Sequence, residues 1–242
     1  MRNNHSKNKM SYTYEYPHPA VATDCAVFGF DGHNIKILLI KRGIEPFMDC
    51  WALPGGFLRM DETADECIRR ELKEETSLSP EVIDQFGVFT EVNRDPRERV
   101  LSIAYYSLVK KSDVKGGDDA SDAQWFDLKQ LPVLAFDHKH ILEHALQTLK
   151  EKIHFEPIGF NLMDNEFTIP DLQRLYEAIL DTTFDRRNFM KKILQVGVIT
   201  EAETISPTTT ISHHIGRTPK YYTFNKEVYE QLKANGKFKL EF

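Results

Sequence analysis

The sequence predicts an α/β domain followed by an α+β domain with the plan of a winged helix-turn-helix. Three observations carry this. Apolar, β-branched runs with mixed connections surround one strongly patterned helical stretch between Gly55 and Leu78. A second helical pattern over residues 137–152 is followed by about ninety more, too many for a tail and enough for a small domain. Those residues open with two capped amphipathic helices joined by the turn Asp181-Thr182-Thr183-Phe184, and then become β-prone. The expected partition is a tail at 1–18, a first domain at 19–152 and a second at 153–242.

At 242 residues with 41% hydrophobic and 28% charged content, the chain can bury a core in each domain. No apolar run approaches the ~20 residues needed to span a bilayer. Residues 1–9 are polar and basic with no apolar segment, unlike a secretory signal. The three cysteines, Cys25, Cys50 and Cys67, are scattered, which fits neither a disulfide framework nor a metal pair. Cys67 reads as a small buried residue. A cytoplasmic protein is expected. The net charge of −6 excludes a generally basic nucleic-acid coat, so DNA binding requires a local patch.

In order, residues 21–30 and 35–40 are strand-like runs around Asp31-Gly32, a hairpin. Trp51-Ala52-Leu53 is a short strand leading into Pro54 and the pair Gly55-Gly56. Residues 86–92 and 99–110 are further strands, separated by the charged proline turn at 93–98. A polar connection holding Gly116-Gly117-Asp118-Asp119 precedes a short strand at Gln124-Trp125-Phe126. Ile141, Leu142, Ala145, Leu146 and Leu149 recur at helical spacing, with Asp137 as the cap.

The stretch between Gly55 and Leu78 carries the chemistry. Thr63 is a good N-cap, and Glu66 three residues on completes a capping box. Residues three and four apart share a helix face, so Glu71, Glu74 and Glu75 are expected to converge on one edge of the last turns. Like charges at a helix C-terminus are unfavourable, and a cation offsets the cost. Three carboxylates suit a hard divalent ion such as Mg²⁺. Such clusters are more often solvated faces; here a glycine pair, a cap and a restrictive spacing coincide. That spacing is Gly56, five residues, Glu62, seven residues, then Arg70-Glu71-Leu72-Lys73-Glu74-Glu75.

It resembles the Nudix box, with one departure: Ser77 stands where that family has glycine. The resemblance covers roughly residues 19–150 and implies an α/β/α sandwich around a mixed sheet. It also implies Mg²⁺ at Glu71, Glu74 and Glu75, which activates water and clamps a diphosphate, with Arg70 orienting the carboxylates and Glu62 assisting. Glu98, Asp118 and Asp119 are alternative further bases. Arg94-Asp95-Pro96-Arg97 and Leu134-Ala135-Phe136-Asp137-His138 are similar to the branch that holds ADP-ribose-type hydrolases and the regulators derived from them. Arg94 and Arg97, with Gly55 and Gly56, are the candidate ligand contacts.

In the second domain Thr168 caps a helix with Pro170 in its permissive first turn, Asp171 at its positive end and a stripe of Leu172, Leu175, Tyr176, Ile179 and Leu180. Asp185 caps the next helix, which ends at Gly197. Phe189, Ile193 and Val196 can face the core there, leaving Arg186, Arg187, Asn188, Lys191 and Lys192 outward. β-prone segments at 198–200 and 204–211, and the basic turn holding Arg217 and Lys220 before Tyr221, read as the wing. In this plan the second helix enters the major groove N-terminus first. Arginine pairs with guanine, asparagine with adenine, and lysine serves phosphate. Residues 155–242 hold 11 Lys+Arg against 12 Asp+Glu, so the domain is not basic overall. Residues 186–192 hold four cations and no acid. The domain resembles the C-terminal domain of Nudix-related transcriptional regulators, some of which sense ADP-ribose and others a pentose.

Two function classes follow. One is a ligand-responsive regulator: the first domain binds a sugar or a nucleoside diphosphate sugar, and the second, as a homodimer, binds two half-sites in duplex DNA. The other is a Mg²⁺-dependent hydrolase of ADP-ribose or a related compound. The regulator is favoured, with hydrolysis weak or absent, because hydrolysis does not need the second domain. In addition, a non-glycine residue at position 77 either strains the helix end or shifts Glu75.

Overall fold

The computed structural model describes residues 13–110, 120–202 and 219–240. The predicted bases Asp118 and Asp119, the β-prone stretch 204–211 and Arg217 lie outside the described residues.

The first domain is a mixed seven-stranded sheet. Its strands are β1 (Ala20–Phe30), β2 (Ile35–Arg42), β3 (Trp51–Ala52), β4 (Gly55–Phe57), β5 (Ile83–Phe89), β6 (Val100–Lys110) and β7 (Ala120–Asp127). β1 and β6 run parallel over their whole length, and the other pairs are antiparallel. Period-two alternation sends Ala26, Phe28 and Phe30 to one face and Cys25 and Val27 to the other. Helix α1 (Ala64–Thr76) covers the second face through Ile68 and Leu72. Helix α2 (His138–Lys152) covers the first through Ile141, Leu142, Ala145 and Leu149. This is the expected α/β/α sandwich.

β1 and β2 diverge. They pair only from Val27↔Leu38 to Phe30↔Ile35. Beyond that, β1 takes β4 on the same edge and β2 takes β3. The segment 51–57 is therefore wedged into a fork in the sheet, fastened by the Cys25 N–H to the Pro54 carbonyl at 2.9 Å. The fork is where the candidate site opens.

Thr63 caps α1, and its capping box with Glu66 is formed. Ser77, at the other end, has φ 61° and donates its N–H to the Lys73 carbonyl. The helix thus stops in the left-handed turn that glycine favours, three residues before Pro80. Ser77→Gly is expected to stabilise the fold by about 0.5–1 kcal/mol: relief of left-handed strain, less the extra freedom of glycine in the unfolded chain. A higher denaturant midpoint at unchanged slope is the readout; a lower midpoint would contradict it.

Some boundaries differ from expectation. β5 lies at Ile83–Phe89 rather than 86–92; Val92, at the end of the expected strand, is exposed. β7 is longer than expected because it pairs with β2 from Lys36 to Arg42. Asp137 occupies the N-cap position of α2 but makes no capping bond. Its carboxylate binds Arg94 instead.

A 3₁₀ turn (Ile158–Leu162), not foreseen, leads to α3 (Ile169–Leu180) and α4 (Arg186–Val196). Thr168 and Asp171 form a capping box on α3, and Asp185 caps α4 by accepting from the Asn188 N–H. Leu172, Leu175, Tyr176, Phe189 and Ile193 are buried between them, while Leu180 and Val196 are half-buried. β8 (Ile199–Glu201) and β9 (Tyr222–Phe224) pair antiparallel as the wing. Helix α5 (Lys226–Ala234) follows, capped by Asn225. It was not anticipated, although Asn225 and the spacing of Val228, Tyr229 and Leu232 signal it. The tip of the β1–β2 hairpin touches the second domain, where Arg174 Nε donates to the Gly32 carbonyl at 3.0 Å.

Candidate functional site

The fork in the sheet opens a cavity of about 480 Å³ lined by the β1, β2 and β4 segments, α1 and the loop bearing Arg94 and Arg97. Its floor is a buried polar network. Asp24 accepts from Ser102 Oγ and from Arg94 Nη2 at 3.4 Å. The Arg94 guanidinium, 4% exposed, also forks onto Asp137 at 2.6 and 2.9 Å. His138 Nδ1 accepts the Leu53 N–H at 2.9 Å, which leaves the ring proton on Nε2, facing Asp24. Burial holds the His138 pKa below its ordinary value, so the ring is neutral. Arg94, Asp137 and His138 thus fix the start of α2 against the cavity floor.

The three glutamates of α1 all line the cavity. Arg70 stands among the acids: it forks onto Glu62 at 2.7 and 2.9 Å, and its Nη1 reaches Glu71 at 2.6 Å and Glu74 at 3.2 Å. Glu75 turns under β4, where it is 7% exposed and accepts the Gly55 N–H at 2.9 Å. Among the described residues, no three His, Cys, Asp or Glu side chains are arranged to hold a metal ion. As placed, Arg70 pairs with Glu71 and Glu74, and the Gly55 N–H holds Glu75. The helix brings the carboxylates to one side of the cavity, and Arg70 reaches two of them.

The glycine pair serves close approach. A Cβ on Gly55 would lie 2.0 Å from the Thr23 carbonyl oxygen, and one on Gly56 2.3 Å from Glu71 Oε1. Burial raises the Glu71 pKa, against the pull of Arg70. Glu62 is the opposite case: hydrogen bonds from Arg70 lower its pKa from 4.5 to about 2. A carboxylate with a depressed folded pKa stabilises fully above its unfolded value, and that contribution is lost as pH falls toward the folded one. Between pH 5 and 3, therefore, the melting temperature of the unmutated protein should fall more steeply than that of Glu62→Gln. Parallel curves would deny the pair its role.

The mouth of the cavity is cationic and aromatic. Arg97 forks onto Asp95 at 2.7 and 3.0 Å and lies over Phe57 and Phe136, 5.0 and 5.6 Å from their centroids. Arg42, at the end of β2, sits 4.7 Å from the Phe136 centroid. Burial and then the neighbouring Arg97 push its pKa down. Two guanidiniums on one aromatic ring repel each other, and an anion between them would relieve this. Phe136 lies within the stretch 134–138 singled out in the sequence, but Arg42 is not named there as a site residue; the sign available was a cation ending an apolar strand that enters the fork.

On α4 the residues Arg186, Arg187, Asn188, Lys191 and Lys192 are all exposed. None of the four cations pairs with an acid among the described residues, whereas Arg70, Arg94 and Arg97 are each engaged by carboxylates. Lys220, before β9, pairs with Glu201 at 2.7 Å. No helix among the described residues is long and apolar enough to cross a membrane.

The chain matches the family model of the NUDIX domain over residues 18–148 and that of the NrtR DNA-binding winged helix domain over residues 159–224. It is 31% identical to the ADPR responsive transcriptional repressor NtrR of Acinetobacter baylyi over 194 residues, 78% of each chain. Its first domain is 49% identical to the ADP-ribose pyrophosphatase of Methanocaldococcus jannaschii over 132 residues, 54% of this chain and 76% of that one. The structure of Shewanella oneidensis NrtR complexed with a 27mer DNA superposes with a TM-score of 0.70 at 26% identity, covering 87% of this chain and 95% of that one. Both domains match, in the same order. The chain therefore belongs to the NUDIX family, in the branch of transcriptional regulators that join a NUDIX domain to an NrtR-type DNA-binding winged helix.

Proposed function

We propose that this protein is an ADP-ribose-responsive repressor. Residues 19–152 bind ADP-ribose in the cavity at the fork, and residues 153–242 hold operator DNA through α4 and the wing. The observation that carries this is the distribution of neutralised charge. The catalytic-looking acids are occupied by Arg70 and Gly55, while α4 presents four cations with no acidic partner among the described residues. A diphosphate suits the cleft, because Arg42 and Arg97 both line it and both stack on Phe136. Gly55 and Gly56 shape the cavity wall, and Arg94 positions α2 from its floor. One helix-turn-helix per chain implies a homodimer on two half-sites about one DNA turn apart. The setting is cytoplasmic.

The test is a gel shift of duplex DNA from upstream of the protein's own coding sequence, with and without ADP-ribose. A shift released by ADP-ribose and not by a free pentose is expected. Release by the pentose alone would replace the effector, and no shift would end the repressor reading. Because the acids are neutralised by an arginine, EDTA is expected to leave the release unchanged. Loss of release with EDTA would restore Mg²⁺ at Glu71, Glu74 and Glu75.

The second reading, hydrolysis, is favoured by the identity to the Methanocaldococcus jannaschii pyrophosphatase and by the complete set of box acids. ADP-ribose turnover in Mg²⁺ buffer that is abolished in Glu74→Gln would support it.

A further inference from the structure

Helix α4 turns two kinds of side chain outward. With Phe189 and Ile193 buried, 3.6 residues per turn places Arg187, Lys191 and Leu194 opposite the core, with Met190 on the flank. Met190 is 44% exposed and Leu194 41%. Four residues apart, they form one apolar ridge beside Arg187 and Lys191. Two copies meeting through this ridge about a twofold axis would set the cations of one α4 against those of the other. A polyanion meets no such repulsion, so the surroundings of the ridge select duplex DNA as its occupant.

In the major groove the apolar feature of a base-pair edge is the thymine 5-methyl group, and apolar side chains contact it there. We infer that Met190 and Leu194 are specificity-determining residues that read thymine methyl groups beside the base contacted by Arg187. This rests on the reading of α4 as the DNA-reading helix. The spacing sets the register. Met190 lies three residues and Leu194 seven beyond Arg187. At 1.5 Å per residue that is about 4.5 and 10.5 Å along the helix, or about one and three base pairs.

The experiment is selection by the full chain from a randomised duplex library, followed by replacement of each thymine in the winning sequence by deoxyuridine, which lacks only the methyl group. At one or two thymines the unmutated protein should bind the uracil duplex about fourfold more weakly, the worth of one buried methyl group. Met190→Ala or Leu194→Ala should bind both duplexes equally at its own position. Both residues are exposed, so thermal unfolding should not change and folding does not confuse the result. A uracil penalty that survives in both variants, or none at any thymine, overturns the inference while the DNA reading stands. If no sequence is enriched, the reading of α4 falls and the inference falls with it.

Discussion

Gly55→Ala is expected to destabilise the first domain by about 3 kcal/mol or more, through overpacking against backbone that cannot yield. Gly55 pairs with Asp24 across β1 and β4, at the point where 51–57 enters the fork. The added Cβ would sit 2.0 Å from the Thr23 carbonyl oxygen and 2.9 Å from the Asp24 Cα. Relief requires β4 to lift off β1. That motion breaks the hydrogen bond from the Gly55 N–H to Glu75, leaving a nearly buried carboxylate short of a donor. Gly56→Ala is the informative contrast. Its clash is with the Glu71 carboxylate, the far end of a side chain, so the cost falls on the link between Glu71 and Arg70 rather than on the sheet. Urea denaturation should show a large loss for Gly55→Ala and a smaller one for Gly56→Ala, the latter accompanied by altered ADP-ribose binding. Equal losses would mean that the glycine pair acts only as a flexible turn.

Local signals were legible in the sequence where they act locally. The caps Thr63, Thr168 and Asp185 sit where the pattern places them, because each is satisfied within three residues of itself. The stripes of α2, α3 and α4 face the core as spaced, with only Leu146, Leu180 and Val196 half-buried. What was not legible depends on partners far away along the chain. Asp137 reads as a cap until Arg94, 43 residues earlier, claims its carboxylate. The three glutamates read as one cluster because they share a helix. Yet Glu75 is drawn to Gly55, 20 residues away, and Arg70 reaches back to Glu62. A helical wheel shows which acids are neighbours, but not which cation has already answered them. At Ser77 the first of the two expected outcomes holds: the left-handed turn is kept without its glycine.

Arg187→Ala is expected to lose ~1–3 kcal/mol of binding to the selected operator, about 5- to 150-fold, with no change in unfolding temperature. The side chain is exposed, stands opposite the buried Phe189 and Ile193, and pairs with no acid among the described residues. Its removal therefore takes nothing from the fold. It lies at the second position of α4, one residue past the start that Asp185 caps, where a groove-entering helix meets base edges first. Lys192→Ala is the control, on the flank of the same helix. As a phosphate contact it should weaken all duplexes alike and reduce the salt slope by about one. The discriminating quantity is the ratio of operator to unrelated-duplex affinity, measured at fixed salt. Arg187→Ala should collapse that ratio, and Lys192→Ala should preserve it. If Arg187→Ala weakens both duplexes equally, Arg187 serves a phosphate, and base reading passes to Arg186 or Asn188 at the same helix end.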